Sequence, residues 1–121
     1  TFPATRFTNV EYASIDGDGV TLYGYLARPA SPTADTPAVL VFHAWNGMSE
    51  EVTYFCDRLA ERGYYCLAPD LFRNVASEAM NIVWNILTVV NTSQERMDSD
   101  ADSAFAYLKS IEFVDENRLA S

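Results

Sequence analysis

The 121 residues carry a net charge of −9 at pH 7, with 49% hydrophobic and 21% charged side chains. That balance describes one folded globular domain or part of one, long enough to bury a core without a disulfide or metal staple. No Lys/Arg cluster offsets the acidity, so phosphate backbones and anionic membrane surfaces are repelled, and nucleic acid and membrane partners are set aside.

In chain order, "FTNVEYASIDGDGVTLYGYLARP" predicts a β-hairpin around "DGDG", whose glycines suit a tight turn. "ASPTADTP" reads as a polar, Pro-rich surface connection. "AVLVF" is a continuous apolar run, the mark of a strand covered on both faces of a parallel sheet. A helix is expected next, with Ser49 as N-cap, Glu50 and Glu51 in its first turn, and Val52, Phe55, Cys56, Leu59 and Ala60 on one face. Gly63 is placed as its left-handed stop. "YYCLAPDLF" reads as a second buried strand, which completes a βαβ unit.

Two further helices are expected. The first, "EAMNIVWNILTVV" at 78–90, is nearly all apolar apart from one narrow stripe of Asn81, Asn85 and Thr88, so it needs cover on more than one side. The second opens on a capping box of Thr92 with Glu95 and carries Met97, Ala101, Ala104, Phe105 and Leu108 on one apolar face. "VDENR" predicts a turn, and "LAS" the start of another strand. No internal repeat or low-complexity tract interrupts this α/β order.

No apolar run reaches the ~18 residues of a membrane span, and no charged-then-apolar leader opens the sequence, so the expected compartment is the cytoplasm. There Cys56 and Cys66 are read as buried free thiols, and the Asn91 sequon as chance. No cofactor is expected, because both Gly-rich phosphate-binding patterns are missing. No metal is expected either: "DSDADS" at 98–103 lacks the glycine and terminal glutamate of a calcium loop and reads as a solvated acidic face. Asp70, after "LAP", stands where α/β enzymes place functional groups.

The order hairpin, strand, "HAWNG", helix, "GYYCLAPDLF", two helices, "VDENRLAS" resembles the dienelactone hydrolase family of the α/β-hydrolase fold, most specifically in "VFHAWNG" and "LAERGYYCLAPDLF". The resemblance covers nearly all of this chain but about the first half of a family member. It implies a partial α/β-hydrolase fold: an N-terminal β-hairpin, then parallel strands with flanking helices. An intact member hydrolyses carboxylic esters or thioesters through a Cys/Ser-His-Asp triad. His43, Ala44, Trp45 and Asn46 become oxyanion-loop or binding candidates, with the Trp45 backbone N–H as the implied donor. Ala44 stands where many members carry a glutamate that partners the resting nucleophile, which favours a broader ester or thioester hydrolase over strict dienelactone chemistry.

The resemblance also implies a nucleophile elbow, Gly-x-Cys/Ser-x-Gly, after "VDENRLAS". Glycines stand at 17, 19, 24, 47 and 63, and no pair frames such a motif. His43 is the single histidine, at a position the family does not use for its base, so its expected role is to hold loops in shape. No catalytic residue is assigned, and the chain alone is expected to be inactive. Three readings follow: a hydrolase part whose complementary C-terminal half lies elsewhere, a stand-alone non-catalytic binding or assembly module, and an unrelated flavodoxin-like binding domain. If the chain works by itself, "AVLVF" as an unpaired edge or the helix at 78–90 predicts a homo-oligomer.

Overall fold

The computed structural model describes residues 7–17, 19–44, 47–72 and 92–121. In chain order these form β1 (Val10–Ala13), β2 (Thr21–Ala27), β3 (Thr36–Leu40), α1 (Glu50–Glu61), β4 (Tyr65–Pro69), α2 (Gln94–Ser110) and β5 (Val114–Ala120). The expected helix at 78–90 lies outside the described residues.

The strands make one sheet in the order β1-β2-β4-β3-β5. The hairpin β1–β2 is antiparallel with Val10 opposite Gly24, as "DGDG" predicts, and Gly17 and Gly19 adopt positive φ. β2 runs antiparallel to β4, whereas β3 runs parallel to both β4 and β5. The Asn9 side chain lengthens the hairpin by acting as a surrogate peptide: Nδ2 donates to Leu26 O at 3.0 Å and Oδ1 accepts from Leu26 N at 2.7 Å.

β4 divides the interior. All five of its residues are buried, and their alternation feeds two clusters on opposite sheet faces. Tyr65 and Leu67 pack with Leu22, Leu26, Ala38, Leu40, Ala104 and Leu108, the last two from α2. Cys66 and Ala68 pack with Phe7, Ala27, Met48, Val52 and Cys56 on the α1 side. Both cysteines are free and buried, as expected.

α1 ends in a Schellman arrangement, with Gly63 at φ 94°, its N–H donating to Ala60 O and that of Tyr64 to Leu59 O. Its N-terminus begins after Ser49 as expected, although the Ser49 side chain makes no capping bond.

Several expectations are corrected. β3 spans Thr36–Leu40, two residues earlier than "AVLVF", and its burial alternates, with Phe42 43% exposed. Phe55 points outward, 53% exposed. The α2 cap is Ser93, whose Oγ accepts from Arg96 N at 3.1 Å, so no Thr92–Glu95 box forms. The face at 98–103 is not uniformly solvated. Asp98 and Asp102 are exposed, whereas Asp100 and Ser103 are buried beneath the hairpin, where Ser103 Oγ accepts from Ile15 N.

β3 is not an edge, because β5 covers it. Their register slips between Thr36 and Ala38, flanking Pro37, which has no N–H to give the ladder. The slack is taken up in "VDENR": Val114 faces Thr36 and Leu119 faces Ala38, with Asp115 Oδ1 accepting from Asn117 N between them. The predicted turn is a bulge inside β5.

Candidate functional site

Parallel strands β3 and β4 deliver their C-terminal loops to the same end of the sheet, where open α/β sheets gather functional groups. Val41 N donates to Leu67 O at 2.9 Å, which prolongs the β3–β4 pairing and sets His43 above β4. On the β4 side, Asp70 N donates to Tyr23 O at 2.8 Å and Asp70 Oδ1 accepts from Phe72 N at 3.0 Å, so Asp70 shapes its own loop. Two residues singled out separately in the sequence thus meet. Their side chains are each 2% exposed, with His43 Nε2 3.8 Å from Asp70 Oδ1. That distance is an electrostatic contact rather than a hydrogen bond.

The His43 ring is used at both nitrogens. Leu71 N donates to Nε2 at 3.0 Å, and Nδ1 stands 2.7 Å from Ala44 O. A backbone N–H can only donate, so Nε2 is the unprotonated acceptor and Nδ1 carries the proton that Ala44 O accepts. Phe72 packs against the ring at a centroid distance of 4.7 Å. Ala44 O accepts a second bond, from Gly47 N at 3.0 Å, and Gly47 holds φ 77°. Ala44 and Gly47 are therefore held side by side. Trp45 and Asn46, the other candidates in this loop, lie outside the described residues.

Sequence reasoning missed two participants. One is the Leu71 backbone, whose N–H reaches His43 and whose O accepts from Arg96 Nη2 at 3.1 Å. The other is Arg96 itself. Nothing marks it in the sequence, because a first-turn arginine on a helix ordinarily faces water.

A cavity of about 900 Å³ lies at the opposite end of the sheet, near the start of β4, lined in part by Asn9, Tyr25, Arg28, Asp57 and Glu61. There Tyr25 Oη donates to Asp57 Oδ1 at 2.6 Å. Burial, then that bond and the nearby carboxylate, push the Tyr25 phenol up to about 12. On the α2 face, burial and the Asp100 and Asp70 charges also raise the Tyr12 phenol. Among the described residues, no cluster of three or more His, Cys, Asp or Glu side chains is arranged to hold a metal ion, and no helix is long and apolar enough to cross a membrane.

Comparison with known proteins gives this arrangement a context. The model of the dienelactone hydrolase family matches residues 22–121. A protein of Aquifex aeolicus named "Putative carboxymethylenebutenolidase" is 32% identical over 111 residues, which cover 89% of this chain and 45% of that protein. An Escherichia coli protein named "Putative hydrolase fragment YghX" is 39% identical over 61 residues, 50% of this chain and 51% of its own length. Among solved structures, the dienelactone hydrolase-type protein of Klebsiella pneumoniae superposes with a TM-score of 0.74 at 26% identity, over 91% of this chain and 46% of that one. The chain thus spans about half the length of these relatives.

Proposed function

The chain belongs to the dienelactone hydrolase family, and from that premise we propose that it carries the oxyanion-forming half of a carboxylic ester or thioester hydrolase. In this reading the donor to the oxygen that gains charge in acyl transfer is the Trp45 backbone N–H, the one that the family resemblance implies. One such donor is worth roughly 3–4 kcal/mol of transition-state stabilisation. The nucleophile, acid and base belong to polypeptide outside these 121 residues, and the residues by themselves do not turn over ester.

The observation that supports this reading is the engagement of the single histidine. His43 Nε2 accepts from Leu71 N and Nδ1 donates to Ala44 O, so neither nitrogen faces a nucleophile to be deprotonated. Asp70 Oδ1 accepts the Phe72 N–H of its own loop. These groups build a loop rather than a triad.

The test is complementation. The chain is co-expressed with the second half of a family member that carries the elbow, acid and histidine, and activated-ester hydrolysis is followed. Trp45→Pro deletes the proposed donor and is expected to lower kcat by roughly 10²–10³. A complex of full activity with Trp45→Pro sinks the assignment of the donor.

A second reading has its own support. The outer edge of β5 is paired with no strand among the described residues. A chain acting alone covers that edge by self-association, the non-catalytic assembly module anticipated from the sequence. Light scattering separates the two, since a uniform small oligomer of this chain favours the module.

A further inference from the structure

Arg96 lies far in sequence from the loop after β3, yet two runs of hydrogen bonds that meet at the Leu71 backbone join them. Ser93 Oγ accepts from Arg96 N at 3.1 Å and fixes the first turn of α2. From that turn Arg96 Nη2 donates to Leu71 O at 3.1 Å. The same peptide unit precedes Phe72, whose N–H is held by Asp70 Oδ1 at 3.0 Å. Leu71 N donates to His43 Nε2, His43 Nδ1 donates to Ala44 O, and Ala44 O also takes the N–H of Gly47. Every link is 2.7–3.1 Å long, and the His43 ring is almost wholly buried.

We infer that Arg96 is a positioning residue that sets Ala44 O, and with it the Gly47 N–H, from α2, acting through the Leu71 backbone and the His43 ring. The physical basis is restraint of the Leu71 backbone from two sides: its O and its N–H belong to successive peptide groups, so Arg96 acts by fixing the position of Leu71. A guanidinium is a permanent cation, and a hydrogen bond from it is stronger than one between neutral groups. Drawing on Leu71 O from one side, it holds the loop that presents Leu71 N–H to Nε2 on the other. That N–H selects the His43 tautomer, because Nε2 must stay unprotonated to accept it, and the proton then sits on Nδ1, facing Ala44 O. Arg96 thereby decides where Ala44 O points. Ala44 adjoins the residue at which the oxyanion donor is proposed, and only the link to catalysis rests on that proposal; the coupling itself does not.

The test uses the isotope-labelled full chain in solution. In the unaltered protein, an NMR scalar coupling across the hydrogen bond from Leu71 N to His43 Nε2 is expected, with the imidazole nitrogens reporting the Nδ1–H tautomer. Arg96→Met is expected to shift the Leu71, His43 and Gly47 signals and to speed exchange of the Leu71 amide by about tenfold, the loss that matches one charge-assisted hydrogen bond. Arg96→Lys, which keeps the cation but loses the planar fork, should recover part of that protection. An Nε2–H tautomer or an absent Leu71–His43 coupling in the unaltered chain overturns the inference without recourse to any variant. So does Arg96→Met that perturbs α2 while leaving Leu71, His43 and Gly47 where they were. Loss of coupling counts against this inference alone, whereas failed complementation with the coupling intact counts against the proposed hydrolase role alone.

Discussion

Gly24 is the position where one added carbon has the most readable cost. It lies in β2 between Val10 of β1 and Pro69 of β4, and a Cβ there would meet Ala68 O at 2.9 Å and Leu67 Cδ1 at 3.2 Å. The first contact is with backbone, which cannot swing aside as a side chain can, so the β2–β4 junction must open. Overpacking of this kind costs about 1–3 kcal/mol. Against it, Gly→Ala lowers the entropy of the unfolded chain and returns about 0.4–1 kcal/mol. Gly24→Ala should therefore destabilise by roughly 1–2 kcal/mol net, a fall of roughly 3–10 °C in Tm. Urea unfolding followed by circular dichroism measures it. Adding Leu67→Ala should not rescue the variant, because the limiting contact is the Ala68 carbonyl. A midpoint for Gly24→Ala equal to or above that of the parent chain would refute the argument, and strong rescue by Leu67→Ala would move the clash to the side chain.

Two further outcomes are expected. Ser93→Ala should cost about 1 kcal/mol, the usual worth of an N-cap, whereas Thr92→Ala should leave the α2 cap intact; equal losses of helix stability in the two would contradict the observed cap. Because the Tyr25 phenol is raised from 10.0 to about 12 by folding, its contribution to stability is present in full below pH 10 and is lost as pH rises through about 12. Tyr25→Phe should flatten the alkaline fall in stability across that window, and an unchanged slope would show that Tyr25 is not its source.

Much of this molecule was readable from residue pattern. The hairpin, the β3–α1–β4 unit, the Gly63 stop and the buried thiols all rest on local chemistry that a short window contains. What was not readable depended on partners distant in the chain. Phe55 sits on the apolar stripe of α1 yet is exposed, because which flank of that stripe meets the sheet is set by how α1 packs on Cys66 and Ala68. Asp100 looks like one solvated acid among several until the hairpin is laid over α2. Thr92 and Ser93 are chemically equivalent caps, and one residue of register decides between them. Pro37, read as part of the polar connection, lies inside β3, and the register slip beside it goes with the bulge that replaces the expected "VDENR" turn. At the candidate site, "HAWNG" and Asp70 were visible as isolated signals. Their convergence was visible only in the folded chain, and so was the arginine that ties them to α2.

The measurement that tests the central claim most directly is hydrolysis of p-nitrophenyl acetate by the purified 121-residue chain alone. With His43 engaged at both nitrogens, and no Gly-x-Ser/Cys-x-Gly motif in the sequence, the rate should equal that of a matched non-enzymatic protein control. Turnover that scales with chain concentration, survives stringent purification and vanishes in His43→Ala would contradict the account.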